Sequence, residues 1–538
     1  MRKGTLLLLF AIAVIPCFAQ SSFNKYKIEW STVEKSDKNS GYITDFFGSD
    51  SQGFYTLSSR AGSIYNYGAV GSNRLPFVKI DYYANNLKSV NSQSIDFRAM
   101  PEKRELEAMF QMRDQRFYLF SSYLNGEREN VLETQLMRPK TLQMSSNQKE
   151  IHKLSFDGYR KSNSGSYGFA MSPDSSKLVV YYNLPYERAA EEQFGFKVFD
   201  QYMKLVWEKE ITLPYTDELF QLRQIRVDKK GNLFVVGKVF RDKVRNRAQG
   251  KPNYDFIVIA YKENATVVEE YLIKLEDRFI TELQTAVDED ENITCAGLYS
   301  DLGLGGIKGT FYATFDAESK KMINESYKDF DADFIVEGER RTDSKKRQIA
   351  RGKEVLESYY LDEIIRRDDG GAVLVAEQYY SRVINSTNVR INVNRRYTKY
   401  YYNDIIVVSI SPSGEIEWTG KINKNQSTIN DVGIYSSYHL SIVGDELVFL
   451  FNDEPKNLEE TDKGVRPFTG AGGMLNLVVF DAKGEKKKYP VYFQGPREPL
   501  TRPRISEQVG DQLLLVATYG RKQRIGRIDL TPPEDANE

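Results

Sequence analysis

The residues of this chain that could carry out chemistry are few and scattered. It contains only two histidines, His152 and His439, and each alternates with apolar neighbours in a strand-like stretch. That setting favours histidines that are packed in a sheet over catalytic or metal-binding ones. There is no paired-histidine zinc motif, no Gly-x-Ser-x-Gly turn, and no carboxylate pair that stands out among the 75 Asp and Glu residues. The sequence therefore predicts no catalytic residue and favours a protein that is not an enzyme.

Three weaker motifs have simpler structural interpretations. The glycine-rich stretch Gly303–Gly309 lacks the Lys-Ser/Thr ending of a phosphate-binding loop, and it is typical of a flexible turn. The acidic clusters Asp288–Glu291 and Asp329–Asp333 lack the glycine and terminal Glu of a calcium-binding loop, which favours solvated turns. Cys295, in the apolar run ITCAGLY, is expected to be a buried structural thiol. We predict neither a cofactor nor a metal site.

Binding chemistry is concentrated in two long segments that are rich in Tyr and Arg. The alternation VRINVNRRYTKYYY within Ser381–Asn403 predicts a protruding β-hairpin, and Asp331–Tyr360 contains a basic stretch whose end, KEVLESYYLDEII, has helical character. Tyr and Arg are enriched at protein-interface hot spots, whereas the alternative is a hairpin that packs on neighbouring sheets and a loop that is merely solvated. The predicted partner-binding residues are Arg382, Arg395, Arg396, Tyr397, Tyr400, Tyr401, Tyr402, Arg340 and Arg341.

These segments interrupt a unit of four strands that repeats along the chain. In Leu222–Leu275 an apolar alternation leads to the turn DKKGN, then to LFVVGKVF, a polar loop, YDFIVIAY, the turn KENA and TVVEEYLIKL. The same order recurs, with first turns such as DSQG, PDSSK and RDDGG and third strands such as FVKIDYY, FKVFDQY and IIVVSIS. Eight third strands can be counted. This predicts an all-β chain that forms a single closed β-propeller of eight four-stranded blades, with seven blades as the alternative.

The three tryptophans agree with this unit. Trp207 and Trp418 each follow a third strand and a tight turn, so they mark fourth strands. Trp30 stands near the N-terminus without preceding strands, and the C-terminal segment supplies only three strands before TPPEDANE. We therefore expect the N-terminal strand to complete the last blade and close the ring, which removes exposed sheet edges.

The long connections fall at one position in the unit. Strands 1 and 2, and strands 3 and 4, are joined by short turns. The long segments follow strand 2 or strand 4: Arg60–Pro76, Pro185–Gly195, Arg241–Asn253, Ser300–Gly309, Asp331–Tyr360, Ser381–Asn403, Asn452–Gly473 and Gln494–Arg504. In a propeller these all project from one face, and long irregular loops commonly carry binding functions.

The N-terminus has the features of a targeting signal. Arg2 and Lys3 precede the apolar run Leu6–Ile15, and cleavage is expected after Ala19. Pro16 is a poor residue before the cysteine of a lipoprotein signal, so simple export is favoured over lipidation. We therefore divide the chain into a signal peptide, residues 1–19, and a propeller domain, residues 20–538, in the periplasm or at the cell surface. No later stretch is apolar enough to cross a membrane.

The third strand, Gly-containing turn and Trp of VVSISPSGEIEW resemble the repeat of quinoprotein-type and outer-membrane-assembly propellers. The export signal and the composition also resemble secreted propellers of the Bacteroidota. The resemblance implies a propeller fold. Quinoprotein dehydrogenases would imply a pair of adjacent cysteines and a calcium site, and Cys295 alone does not supply that pair.

The balance of charged residues limits the classes of partner that we expect for this protein. The 74 basic and 75 acidic residues nearly balance, which argues against a nucleic-acid-binding protein because such proteins need a basic excess. We expect an exported, non-catalytic binding or scaffold protein that holds a cell-envelope protein on its loop-rich face. The alternative is a carbohydrate-binding or carbohydrate-active propeller, a lectin or a glycosidase or lyase, with a glycan at the channel mouth.

Overall fold

The computed structural model describes residues 25–36, 38–60, 76–155, 165–184, 191–242, 244–245, 247–248, 250–288, 291–339, 342–362, 364–367, 369–388, 393–458 and 464–531. The predicted signal peptide, Arg340, Arg341 and parts of several predicted loops lie outside these residues.

Nearly all regular structure in the described residues is β. The strands are β1 (Ile28–Trp30), β2 (Glu34–Lys35), β3 (Tyr42–Asp50), β4 (Gly53–Ser59), β5 (Phe77–Ala84), β6 (Ser89–Asp96), β7 (Glu105–Gln111), β8 (Phe117–Leu124), β9 (Glu129–Met137), β10 (Met144–Ser155), β11 (Tyr167–Met171), β12 (Lys177–Asn183), β13 (Glu191–Asp200), β14 (Leu205–Thr216), β15 (Phe220–Val227), β16 (Leu233–Phe240), β17 (Arg247–Ala248), β18 (Lys251–Pro252), β19 (Tyr254–Lys262), β20 (Val267–Ile273), β21 (Phe279–Val287), β22 (Ile293–Ser300), β23 (Gly309–Phe315) and β24 (Met322–Asp329). They continue with β25 (Tyr359–Leu361), β26 (Ile365–Arg366), β27 (Ala372–Asn388), β28 (Val393–Ile410), β29 (Ile416–Ile422), β30 (Gln426–Ile429), β31 (His439–Val443), β32 (Glu446–Asp453), β33 (Gly473–Phe480), β34 (Lys486–Gln494), β35 (Leu500–Thr501), β36 (Glu507–Val509), β37 (Gln512–Tyr519) and β38 (Lys522–Asp529). Two short α-helices, α1 (Ala332–Val336) and α2 (Thr342–Ala350), precede β25.

These strands form a series of antiparallel sheets, and in each four-stranded sheet the strands are hydrogen-bonded in the order in which they follow in the chain. The sheets are I (β3–β6), II (β7–β10), III (β11–β14), IV (β15, β16, β19 and β20), V (β21–β24), VI (β25–β30), VII (β31–β34) and VIII (β35–β38 with β1 and β2), and β17 and β18 form a separate small hairpin. The four-strand unit that the sequence predicts is therefore confirmed as a repeated antiparallel sheet.

The hydrophobic pattern explains where the core lies. Several second and third strands, such as β22 and β33, are buried along their whole length, which indicates cover on both faces. The fourth strands, such as β14, alternate between exposed and buried positions, as expected at an outer edge. Tight turns end the strands by local hydrogen bonding. In one of them the Asp228 carboxylate accepts backbone N–H donors from Lys230, Gly231 and Asn232.

The core is divided among the spaces between successive sheets. Seven of the eight apolar clusters in the described residues contain side chains from two sheets that are consecutive in the chain. The eighth cluster joins Leu514, Val516 and Ile525 of sheet VIII to Ile43 and Phe54 of sheet I. The last sheet of the chain therefore packs on the first.

The two ends of the chain share one sheet. β1 pairs antiparallel with β38, with Ile28 opposite Ile528 and Trp30 opposite Gly526, and β2 pairs with the same strand. This is the pairing that the position of Trp30 predicts. It places an N-terminal strand where sheet VIII would otherwise lack its fourth member.

Trp207 and Trp418 occupy fourth strands, β14 and β29, as predicted. Each indole N–H donates to a turn carbonyl of the next sheet, Gly231 at 2.9 Å and Ala482 at 3.1 Å. These two side chains therefore connect neighbouring sheets by a hydrogen bond as well as by packing. Trp30 differs, because its ring lies under the Arg524 guanidinium at 3.9 Å.

The predicted helical end of Asp331–Tyr360 is wrong. The helices α1 and α2 lie earlier, and the stretch after them is extended: Leu356 forms a bridge with Ile307, and β25 pairs with β27. Pairing with an existing strand satisfies the backbone of this stretch, and that tertiary contact outweighs its local helical propensity.

The lengths of the connections follow the predicted pattern. Turns between strands 1 and 2, or 3 and 4, of each sheet have six residues or fewer, the longest being 138–143 and 316–321. Every longer connection, including 330–358 and 454–472, follows strand 2 or strand 4. In an antiparallel sheet these two positions lie at the same end, so each sheet has one short-turn end and one long-connection end.

Candidate binding hairpin

The most elaborated connection belongs to sheet VI. β27 and β28 have 17 and 18 residues, more than any other strand described here, and their outer parts extend beyond the sheet. They pair from Tyr379 opposite Tyr402 out to Asn388 opposite Val393. The predicted β-hairpin is thus confirmed, and we call residues 379–388 with 393–402 the hairpin.

A third strand supports one side of the hairpin. β30 pairs with β28, with Ile429 opposite Lys399 and Gln426 opposite Tyr402. The Asn430 N–H donates to the Thr398 carbonyl at 3.0 Å, and the Thr398 N–H donates to Asn430 Oδ1 at 2.9 Å. This edge of the hairpin is therefore occupied by the chain itself.

One face of the hairpin combines stacked tyrosines with cations. Tyr380 and Tyr401 lie opposite each other and stack with ring centroids 4.5 Å apart. The Arg382 guanidinium lies 5.1 Å from the Tyr380 centroid, and the Lys399 ammonium lies 5.0 Å from that of Tyr401. We call these four side chains the tyrosine–arginine face. Cations held over aromatic rings present positive charge and flat apolar surface together.

The charge of this segment is one-sided. Between Tyr379 and Asn403 the sequence contains five basic residues and no acidic residue. Arg382 is exposed and Lys399 is half-buried, so positive charge remains accessible to a partner. An anionic or hydrogen-bond-accepting surface is the chemistry that this face would attract.

The opposite face is directed toward the body of the protein. Tyr402 is only 5% exposed, its ring lies 4.6 Å from that of Tyr379, and its hydroxyl accepts a hydrogen bond from Arg504 at 3.2 Å. Burial raises the pKa of Tyr402 well above its usual value. The prediction of Tyr402 as a partner-binding residue is therefore corrected: its side chain packs and supports the hairpin.

The other predicted residues are distributed as follows. Arg382 and Arg396 are exposed, and Tyr397, Tyr400 and Tyr401 are half-buried. Arg395 lies on β28 opposite Ser386, and only its backbone is described. Arg340 and Arg341 lie outside the described residues.

A buried ion pair anchors the base of the hairpin. The Lys424 ammonium donates to Glu377 Oε1 at 2.6 Å, to the Tyr402 carbonyl at 3.0 Å and to Gln426 Oε1 at 3.1 Å. The Lys424 side chain is fully buried, and burial lowers its pKa against the opposing effect of Glu377. The Ser437 hydroxyl donates to the other carboxylate oxygen at 2.5 Å. This group of paired polar side chains is called the Lys424 network.

The Lys424 network continues into the two following sheets. Gln426 donates to the Asn452 carbonyl at 2.7 Å, and the Asn452 amide donates to the carbonyls of Tyr435 at 2.8 Å and Thr501 at 2.7 Å. Gln494 donates to Asn452 Oδ1 at 2.9 Å. Hydrogen bonds therefore connect the hairpin base in sheet VI with the long-connection ends of sheets VII and VIII.

The groups that could suggest catalysis are in packed positions. His152 stacks on Tyr182 with centroids 3.8 Å apart, and burial lowers the pKa of both His152 and His439 to about 4. Cys295 is buried as predicted, and burial raises the pKa of its thiol. Within the described ranges no group of three or more His, Cys, Asp and Glu side chains is placed to hold a metal ion.

Sequence reasoning found the hairpin but not its supports. Lys424 and Asn430 belong to polar stretches between apolar runs, and Glu377 ends the apolar run AVLVA. Local sequence does not show which lysine will be buried or which carboxylate will lie beside it. Arg504 lies at the end of a segment that was predicted as a long connection, but no feature of the sequence pairs it with Tyr402.

Comparisons with known proteins give remote likenesses only. No family model and no curated protein matches the sequence. Among solved structures, a mutant of the Synechocystis apocarotenoid oxygenase is 10% identical, with a TM-score of 0.35, over 89% of this chain and 97% of that chain. The WD40 domain of SCAP from fission yeast is 8% identical, with a TM-score of 0.39, over 96% of each chain.

The β-propeller domain of the Trilobed protease from Pyrococcus furiosus is 12% identical, with a TM-score of 0.33, over 84% of this chain and 97% of that chain. At such identities and TM-scores these likenesses assign neither a family nor an activity to the chain. Neither α1 nor α2, the two α-helices of the described residues, is long and apolar enough to cross a membrane.

Proposed function

We propose that this chain is an exported binding or scaffold protein of the cell envelope, and that the hairpin is where it holds a protein partner. The observation that carries the proposal is the tyrosine–arginine face: two stacked tyrosines and two cations on a rigidly supported ribbon. Tyr provides large contact area at low entropic cost, Arg provides a planar cation with several donors, and both are enriched in interface hot spots.

We infer that the fold behind the hairpin is a closed propeller of eight blades, with sheets I–VIII as the blades. This inference is supported by the eight clusters that join successive sheets, the contact of sheet VIII with sheet I, and the pairing of β1 with β38. The resemblance to quinoprotein-type propellers concerns the sequence repeat alone, and no function is proposed from it.

In such a ring the long-connection ends share one face. The Lys424 network supports this for sheets VI to VIII, since it joins Gln426, Asn452 and Thr501. A rigid ring with elaborated loops on one face suits a scaffold, because the loops are held in fixed relative positions. Export is proposed from the N-terminal signal sequence.

A carbohydrate partner is the second candidate. The stacked Tyr380 and Tyr401 favour it specifically, because flat aromatic surfaces also pack against sugar rings. The two candidates differ in what they bind to the same face, so one set of variants can separate them.

The test compares a hairpin variant with a control variant that has the same three residue types changed at the opposite end of the sheets. The hairpin variant is Arg382→Ser, Lys399→Ser, Tyr401→Ser. The control is Arg113→Ser, Tyr202→Ser, Lys204→Ser, at short turns of sheets II and III. Each tagged protein is crosslinked in its native cells, and co-purifying proteins are identified by mass spectrometry.

We expect one recurrent envelope protein to be crosslinked to the hairpin in the wild type and the control and to be lost in the hairpin variant. Equal recovery of that protein by all three would contradict the site. If no protein is recovered and a glycan array shows sugar binding that the hairpin variant loses, the carbohydrate proposal replaces it.

A further inference from the structure

The second edge of the hairpin differs from the first. β26 and β25 cover β27 only as far as Gln378, and the Tyr379 N–H donates to the Ser358 carbonyl at 2.9 Å. Beyond Tyr379, no described strand lies beside β27 on this side. The opposite edge, on β28, is covered by β30 and Asn430.

The backbone groups that face this bare edge can be identified. The Tyr379 N–H points away from β28, because it bonds Ser358. Backbone direction alternates along a strand, so Ser381, Val383 and Asn385 also direct their N–H and C=O groups outward.

The hydrogen bonds of β28 independently identify the same outward-facing backbone groups on β27. The Thr398 carbonyl points away from β27, since it accepts from Asn430, and Thr398 lies opposite Val383. In an antiparallel pair, opposite residues either exchange both hydrogen bonds or none. Val383 therefore has an outward N–H and C=O, in register with an added strand.

The surroundings of this edge suit an extended segment. An open cleft of about 550 Å³ lies between α2 and the stretch that leads into β25, and its lining carries both signs of charge, with Lys345 and Lys353 beside Glu339, Glu354 and Glu357. The Glu357 carbonyl accepts from the Gln378 side chain at 3.0 Å, so the cleft adjoins the point where the edge becomes bare. Val383 is 51% exposed, so its side chain leaves this edge accessible.

We propose that the bare edge of β27 at Ser381–Asn385 binds an extended, acidic segment of a partner protein by strand addition, and the proposal rests on the proposed protein-binding function. An added strand would satisfy the outward N–H and C=O groups, as in other edge-binding modes. Acidic side chains on that strand would meet Arg382 on β27, and Lys399 on β28 adds positive charge one strand further in, within a segment that has no acidic residue.

Charge also argues against a second copy of this chain as the occupant. Two hairpins paired edge to edge would bring Arg382 and its basic neighbours together, and like charges in directly opposed strands are unfavourable. A partner of opposite charge avoids this repulsion.

The test removes one outward N–H and leaves the tyrosine–arginine face unchanged. In Val383→Pro the missing N–H is one that β28 does not use, so the hairpin ladder is retained. Val383→Thr is the matched control, because it keeps the N–H and a β-branched side chain. The probe is an acetylated octapeptide of alternating Glu and Val, compared with the same peptide N-methylated at alternate residues.

We expect the full-length protein to bind the unmethylated peptide and, on binding, to protect the amides of Ser381, Val383 and Asn385 from hydrogen exchange. V383P and N-methylation should each weaken binding about tenfold or more, whereas V383T should stay within about twofold, as measured by fluorescence anisotropy. The methylated peptide tests the backbone pairing even if V383P disturbs the hairpin.

Three results would overturn the proposal. These are no peptide binding, equal binding of the methylated peptide, or a concentration-dependent dimer in sedimentation that V383P abolishes, which would make a second copy the occupant. The crosslinking experiment separates this proposal from the proposed function. If V383P retains the envelope partner and the variant at Arg382, Lys399 and Tyr401 loses it, strand addition is wrong and the proposed binding function is still supported.

Discussion

The base and the outer part of the hairpin are made from the same two strands but differ in how their polar groups are satisfied. At the base, Lys424, Glu377 and Ser437 are buried and paired, and Tyr402 packs against Tyr379. In the outer part, Arg382 is exposed and one backbone edge is bare. A buried network fixes geometry and leaves little to bind, whereas an exposed face on a fixed ribbon is free to bind. Substitutions should therefore separate stability from binding along this one element.

The largest expected effect on the free energy of unfolding is at the base of the hairpin, in the Lys424 network. Lys424→Met removes the ammonium and leaves the Glu377 carboxylate buried beside a methylene chain. Breaking a buried ion pair in this way costs about 3–5 kcal/mol of unfolding free energy. Urea unfolding of the full chain, followed by tryptophan fluorescence, measures the loss.

The double variant Lys424→Met, Glu377→Leu is the control for this prediction. Because it removes both charges, it should recover at least about 1 kcal/mol relative to Lys424→Met alone. A single variant that loses less than about 1 kcal/mol would show that water reaches the Lys424 network and that the base does not differ from the outer part.

The same contrast explains what could be predicted from sequence. Strands, turns and the hairpin follow from local signals: alternation of apolar residues, Asp and Gly in turns, and the repeated place of Trp207 and Trp418. These signals act over a few residues, so the order of strands within each sheet could be derived from them.

The supports of the site depend on distant partners. Lys424 can be buried because Glu377, 47 residues earlier, lies beside it. No sequence pattern near Lys424 predicts this contact. The error at residues 353–365 has the same cause: β25 is a strand because β27 offers it a partner. Tyr402 looked like the other tyrosines of its run, and only the approach of Arg504 sets it apart.

The next largest effect on stability concerns His439 at the start of β31, two residues after Ser437 of the Lys424 network. Burial alone lowers its pKa from 6.5 to about 4, and its Nε2 atom is buried without a hydrogen-bond partner. A lowered pKa means that the unfolded chain binds the proton first. Stability from this group is therefore complete above pH 6.5 and is lost as the pH falls toward 4, by at most about 3 kcal/mol.

The measurement is the difference in unfolding free energy between wild type and His439→Gln at several pH values. Other groups, including Glu282 and Glu507, titrate in both proteins, so the difference isolates the imidazole. The wild type should lose stability relative to H439Q between pH 6.5 and 4 and differ little in slope above pH 7. Parallel curves would mean that the imidazole is hydrated, and that the buried region ends before β31.

The smallest expected effect on stability lies in the outer part. Arg382→Ser with Tyr401→Ser removes a stacked ring and a cation from a face that is only partly covered. Exposed pairs of this kind contribute about 0.5–1.5 kcal/mol at most, and the side chains regain rotational freedom in exchange. The unfolding free energy should therefore fall by no more than about 1 kcal/mol, while partner binding is lost.

A loss as large as that of Lys424→Met would mean that the tyrosine–arginine face is packed as a structural element, and the contrast between base and outer part would disappear. If stability is nearly unchanged and binding is lost, the same ribbon carries both roles in separate halves, with the base as its support.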